Sequence, residues 1–384
     1  MKSKILWLSF LLLCIPFQAF AAGNIHLGLL EIHPYTILQE TYDDNIFAVD
    51  TDTKYDWITK ITPGIKLLLP TGMHQFALEY NAVIKRYADY DSENTTDHNA
   101  SFNADLKLGS LIGLRLNDTY AHGHEPRASS TSGQIEKYDT NAALVSATYQ
   151  LADKSKVQLD YTRTTWDFKT GDDRDRKEDL FAIYLYYRFL PRTSAFAEAD
   201  YIKADYDLET SVLNNTVNSG FLGLKWEVSP YTKGTVKGGY SNKDFDTAGK
   251  GSISKVSGSI DIDHEFSEYS SIKVVGKRII SDSPNQAARA YITTGAYVEY
   301  KHKFIYNISG VMRGSYGTDD YSDPLPGETL TRSDRTILGG VGLKYQMKDW
   351  LEFALDYNYM DRDSNIDTHD FISNTYALTI NLAL

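Results

Sequence analysis

Asp261, Asp263 and Glu265 take every second position of the stretch VSGSIDIDHEF. Extended backbone sets such a row on one face. Lys273 and Lys277 follow beyond a short SEYSS turn. If the segments 256–266 and 271–280 pair, their ammonium groups lie beside the acidic row. Asp105 and Lys107 are spaced in the same way, with Arg115 and Asn117 on the next segment, and Tyr184, Tyr186 and Arg188 form a third set. Inside a water-filled enclosure these groups do two kinds of chemistry. Opposed charges set a transverse field that biases ion passage. Carboxylates, amides, guanidinium groups and tyrosines bond hydroxyls and present flat rings, which is how sugars are held. The plainer reading is a solvated polar wall with no ligand.

Other clusters invite metal or catalytic readings. Asp43, Asp44 and Asn45, with Asp50 and Asp52 nearby, supply the oxygen ligands that suit calcium. The same residues make Asx turns at a strand end, and that is the reading adopted. His122, His124 and Glu125 in HGHE have the residue types of a zinc or acid–base site. No third positioned ligand and no G-x-S-x-G motif accompanies them, and His369 in DTHD is equally isolated. The charge run DDRDRKED (172–179) reads as a solvated loop. No metal, no cofactor and no enzymatic activity is expected.

The elements that position these groups are strands. DHNASFNADLKL alternates Ala100, Phe102, Ala104, Leu106 and Leu108 with Asn99, Ser101, Asn103, Asp105 and Lys107. That period of two recurs as far as Tyr376, Leu378, Ile380, Leu382 and Leu384, and no amphipathic helical pattern of useful length interrupts it. The connections alternate between tight turns, such as LPTGM (69–73) and ADKS (152–155), and long polar loops, such as 122–137 and 318–334. Short turns on one rim and long loops on the other belong to an antiparallel, up-and-down transmembrane β-barrel. The spacing predicts about 18 strands, with 16 as the alternative, from 33–42 through 372–384. Leu106 and its phase then face lipid, and Asn103, Asp105 and Lys107 face the interior. The 28 tyrosines and 5 tryptophans collect near strand ends. Trp226, Phe266 and Trp350 beside short turns, and Tyr42, Trp57, Tyr87, Trp166 and Tyr316 beside long loops, suggest two interfacial girdles.

The amino terminus reads as a signal peptide over residues 1–21, leaving the barrel as 22–384. Lys2 and Lys4 precede an apolar run from Ile5 to Phe17, and Ala19-Phe20-Ala21 offers a cleavage site. The run is shorter than the ~20 residues that a helical span needs. Cys14 is the single cysteine, so cleavage leaves no disulfide or thiolate chemistry. Removing the leader, with its two lysines and no acids, moves the formal charge from −12 to −14. That balance argues against a nucleic-acid partner. Mean hydropathy is −0.38, and strands are the route by which so polar a chain enters a membrane.

Tyr42-Asp43-Asp44-Asn45 at the end of the first strand and Pro63-Gly64 in the second resemble the second putative β-barrel porin family. Its strand-and-loop plan matches the whole mature chain. The family's barrels are often encoded with exopolysaccharide or capsule synthesis genes. The resemblance therefore implies an outer-membrane pore that takes part in polysaccharide export by passive passage. The alternatives are a general diffusion porin for small solutes and a non-conducting surface scaffold or adhesin. Expected partners are outer-membrane lipid, lipopolysaccharide, the barrel-assembly machinery, the polysaccharide and periplasmic export proteins. The terminal strand ends in Leu384 where many such barrels end in an aromatic, although Tyr376, Leu378, Ile380 and Leu382 keep the rhythm of the assembly signal.

Overall fold

The computed structural model describes residues 25–125, 127, 135–169, 173–229, 231–283, 288–305, 307–324 and 328–383. The leader, Cys14 and Leu384 lie outside the described residues. A three-residue strand, β1 (Ile25–Leu27), forms a small hairpin with the first barrel strand. The barrel strands are β2 (Leu30–Asp43), β3 (Asp56–Thr71), β4 (His74–Tyr87), β5 (Thr95–Leu108), β6 (Ile112–His124), β7 (Lys137–Ala152), β8 (Ser155–Phe168), β9 (Arg176–Leu190) and β10 (Thr193–Tyr206). They continue as β11 (Asn215–Ser229), β12 (Thr232–Phe245), β13 (Ser252–Ser267), β14 (Ser270–Asp282), β15 (Ala290–Ile305), β16 (Ile308–Tyr321), β17 (Ser333–Lys348), β18 (Leu351–Ser364) and β19 (Phe371–Ala383). Each pairs antiparallel with its sequence neighbours, and β19 pairs with β2 to close an 18-strand barrel. Among the described residues the only helical pieces are two single 3-10 turns, at Asp91–Glu93 and Asp367–His369.

Strand count, order and alternating connections follow the expected plan. The strands run 13–16 residues, longer than the ~10 that a bilayer needs, so they stand above the membrane on the long-loop side. At the opposite rim, Gly72 (φ 62°) and Gly109 (φ 68°) occupy left-handed positions in the β3–β4 and β5–β6 turns, where a side chain would be strained.

One face of every strand points outward. Leu222 is 73% exposed, Val256 65% and Leu355 58%. A continuous apolar surface of this size needs lipid as its solvent. Closure leaves the barrel no open edge, so each of the 18 barrel strands has a neighbour on each side for its backbone donors and acceptors. The aromatic girdles are present as exposed rings, with Tyr231, Phe266 and Phe304 near short turns and Tyr55, Trp57 and Tyr316 near long loops. Trp166 and Tyr87 depart from that expectation. Register puts Trp166 on the inward phase of β8, where it meets Tyr138 and Phe168. Tyr87 shares the inward phase of Glu79 and Lys85 on β4. Above the bilayer, inward rings pack against loops and do not meet lipid.

Candidate functional site

The inward phase of the strands builds a polar wall, and cross-strand register decides which charges meet. Asp105 pairs in register with Arg115, whose Nε donates to Asp105 Oδ1 at 2.8 Å. Asn117 donates to Asn103 Oδ1 at 2.6 Å on the same two strands. Lys107 lies on the same phase of β5, near the periplasmic rim. Asp263 pairs with Lys273, whose ammonium lies 3.3 Å from Asp263 and 3.5 Å from Asp261, so the acidic row is partly neutralised by β14. Lys233 on β12 adds a 3.7 Å contact to Asp263 from the other side. Glu265 faces Ser271, and Lys277 faces Ser259. Arg188 bonds the carbonyl of Asp153 in a periplasmic turn. Tyr184 and Tyr186 stack with ring centroids 6.0 Å apart, and Tyr186 also meets Phe196 and the Lys156 ammonium.

Several contacts skip a strand, which the inward face of a closed barrel permits when the strand between is bare. Arg313 on β16 bonds Glu299 on β15 at 3.1 Å and Asp356 on β18 at 2.9 Å. β17 lies between β16 and β18 and presents Gly340 opposite Arg313 and Gly342 opposite Asp356. Lys237 on β12 reaches over Gly223 of β11 to Glu198 on β10 at 2.5 Å, its ammonium 4.5 Å over the Phe221 ring. Tyr35 on β2 crosses Gly64 of β3 to donate to Glu79 on β4 at 2.8 Å. A Cβ on Gly64 would fall within the Tyr35 ring. That explains the glycine of the Pro63-Gly64 pair. Pro63 has no N–H, and the β3–β4 ladder is interrupted between Ile61–Ile84 and Gly64–Asn81. The sequence reading missed these strand-skipping contacts, although glycines at alternate positions of β17 were the available signal.

Tyr42-Asp43-Asp44-Asn45 closes the seam. The backbone N–H of Asn374 on β19 donates to Asp44 Oδ1 at 2.7 Å, and its side-chain amide donates to Asp44 Oδ2 at 2.8 Å. Ser373 donates to Asp43, which also accepts the Asn45 backbone N–H in an Asx turn. The Asn45 amide, 3% exposed, donates to the carbonyls of Val49 and Ile372 at 2.7 and 2.8 Å. Both Asp44 oxygens and Asp43 Oδ1 already accept hydrogen bonds from backbone and side-chain donors. No group of three or more metal-ligating side chains occurs among the described residues.

HGHE does not converge either. His122 bonds Asp139 at 2.7 Å, His124 bonds Asp97 at 2.8 Å, and Glu125 takes the Arg174 guanidinium at 3.1 Å. Three partners pull the residues apart.

The extracellular mouth holds most of the buried charge. Arg174 joins Glu125 and Glu136, with its guanidinium 3.8 Å over Phe168. Arg127 joins Glu93, Arg289 joins Asp323, and Arg332 joins Asp334. Each links neighbouring loops or a loop with a strand end. Val212 and Leu213, from the loop after β10, enter a cluster with Ala204, Tyr206, Phe245, Ile253, Ile280 and Ala290. Ala204 and Tyr206 share the inward phase of Glu198, so this loop folds into the mouth. Glu125 lies near enough to Tyr291 for electrostatic interaction, although β6 and β15 are nine strands apart. Burial pushes the His369 imidazole below its usual range, and the neighbouring Arg332 adds to the effect. Burial opposes ionisation of Asp323, but hydrogen bonds from Arg289 and Ser322 outweigh it and bring the carboxyl down to about 2.

An 18-strand antiparallel cylinder with an apolar outside, aromatic girdles, a charged inner wall and long loops at one rim is an outer-membrane β-barrel of the porin class. The chain belongs to the family described as Putative beta-barrel porin 2, whose model matches residues 18–384. No curated protein matches. Among solved structures, Pseudomonas aeruginosa OpdO aligns at 13% identity over 92% of this chain and 97% of that one, with a TM-score of 0.50. Pseudomonas aeruginosa OpdK with vanillate aligns at 11% identity over 92% and 99%, also at 0.50. At such identities these two establish likeness of fold alone.

Proposed function

We propose that the barrel is a passive channel for small hydrophilic solutes. The observation that carries this reading is the combination of a charged, hydrogen-bonded inner wall with a mouth narrowed by the inward loop at Val212–Leu213 and by the Arg174–Glu125–Glu136 cluster. A paired wall hydrates the pore while holding no solute tightly, so what enters can leave. A narrowed mouth admits small molecules and resists a polymer. Polysaccharide export, expected from the family resemblance alone, finds no support in this geometry. Among the described residues the candidate histidines and carboxylates of HGHE are drawn to separate partners, and the reading is transport without chemistry.

Liposome swelling with sugars of graded size, alongside planar-bilayer recordings, tests this. Monosaccharides should equilibrate and oligosaccharides lag, with ohmic conductance in salt. Absence of any conductance from folded barrel would favour a scaffold. Equal entry of long oligosaccharides would return the polymer reading.

A further inference from the structure

Glu40 stands on the wrong face for an acid. It is on the outward phase of β2, in one hydrogen-bonded rung with Leu378 of β19 and Thr59 of β3. The same rung continues through Leu355 and Leu343, both exposed to lipid. One rung higher runs an aromatic row. Tyr42 meets Trp57 at 5.4 Å and Tyr376 at 6.3 Å, and Tyr376 meets Tyr357 at 5.0 Å. Such rings mark the level of the lipid headgroups, so Glu40 lies just below it, at the depth where acyl chains begin. A carboxylate there is costly unless a donor reaches it. Thr59 donates to Oε2 at 2.7 Å, and Oε1 has no bond among the described residues.

Two further features share this face. Beside Glu40 is a groove of about 620 Å³, lined by Trp57, Val341, Leu343, Leu355, Tyr376 and Leu378. Thr59 also pairs with Arg86 of β4. Arg86 is exposed and donates to the Thr95 and Lys85 carbonyls, and no carboxylate partners it among the described residues. It stands one residue below the end of β4, whereas Glu40 is three below the end of β2. Through Thr59 the two share one rung, so the longer arginine side chain reaches toward the headgroups while the carboxylate stays at the acyl boundary.

We propose that this seam face binds one phosphorylated glycolipid of the lipopolysaccharide type from the outer leaflet. A phosphate sits on Arg86, an acyl-chain hydroxyl or amide donates to Glu40, and an acyl chain fills the groove. A guanidinium is suited to phosphate. The deeper carboxylate asks for a donor at the acyl boundary, which hydroxylated and amide-linked chains carry and ordinary phospholipid ester chains lack. The inference rests on outer-membrane placement and is independent of what crosses the lumen.

Native mass spectrometry of the folded barrel in mild detergent, titrated with rough-form lipopolysaccharide or with phosphatidylglycerol, tests it. One lipopolysaccharide should be retained, at least tenfold more tightly than phosphatidylglycerol. Arg86→Ala should weaken retention about tenfold. Glu40→Leu should weaken it several-fold while the barrel keeps its heat-resistant mobility on gels, which separates loss of binding from loss of fold. Arg163→Ala, on the outward face of β8, should change nothing. Equal retention of the two lipids, equal retention by both variants, or a second copy of the chain in place of lipid would overturn the proposal.

Discussion

Arg313 reaches over β17 to Asp356, Nη1 to Oδ1 at 2.9 Å, because Gly340 and Gly342 leave the strand between them bare. A Cβ at Gly342 would collide with the Asp356 carboxylate. The glycines thus set the wall electrostatics without carrying charge. They let side chains of β15, β16 and β18 meet across β17 as one Glu299–Arg313–Asp356 cluster.

Asp356→Asn should remove one negative charge from the wall and leave Arg313 with Glu299 alone. The reversal potential in a salt gradient should move toward anion preference, at a stability cost of about 1–3 kcal/mol. Gly342→Ala should move it the same way by displacing the carboxylate. An unchanged reversal potential in both variants would mean that ions pass elsewhere in the lumen.

Asp44 and Asn374 are 330 residues apart in sequence, yet their two hydrogen bonds fasten the first barrel strand to the last. Asp44→Ala should destabilise the folded barrel by about 1–3 kcal/mol for the donors left unpaired. Asn45→Ala, which removes a nearly buried amide bonded to two carbonyls, should cost at least as much. Ser373→Ala loses one bond to Asp43 and should cost least. Midpoints in urea, followed by the mobility difference between folded and unfolded barrel, give this order directly.

What the sequence made legible was local. Alternation marked the strands, turn length marked the rims, and phase put Asp105, Arg115, Asp263 and Lys273 on one face, where they meet as ion pairs. Register across a tight turn is set by the turn itself, so such neighbours can be read from spacing. Contacts that depend on closure could not be read in this way. Tyr42-Asp43-Asp44-Asn45 was visible as a motif, but its partner at 372–374 becomes adjacent only when β19 meets β2. The inward fold of Val212–Leu213 was hidden for the same reason, since the loop's composition is polar apart from those residues and Leu208. Trp166 and Tyr87 were misplaced because strand length above the bilayer is not encoded in the period.

The mouth should loosen in acid in two stages. The His369 imidazole is held below the usual value of about 6.5, so its neutral form favours the folded loop above that pH. The contribution is lost as pH falls below about 6.5, when an unfolded loop would take the proton more readily. The Asp323 carboxyl, lowered to about 2, favours the folded loop above the ordinary carboxylate range near 4, and that support fades between about 4 and 2. Limited proteolysis of the folded barrel across pH 8 to 3 should show the 367–370 turn opening first and the 322–324 segment later. His369→Gln should remove the first stage alone.

Leu213 is 2% exposed although it belongs to a loop. Full burial of such a side chain is worth about 1.5–3 kcal/mol, and it is what holds the loop inside the mouth against Tyr206, Phe245 and Ile253. Leu213→Asp would put a charge among those apolar groups, a cost larger than the burial it replaces. The loop should therefore leave the mouth, while the strand ladders, which share no bond with the Leu213 side chain, keep the barrel closed. Single-channel conductance should rise and the size cut-off for sugars should widen, with far-ultraviolet circular dichroism unchanged. Leu213→Met keeps the burial and should leave conductance as it is. If the Asp variant folds and conducts like the native chain, the loop does not limit passage, and the narrowing must lie at the neighbouring Arg174 cluster.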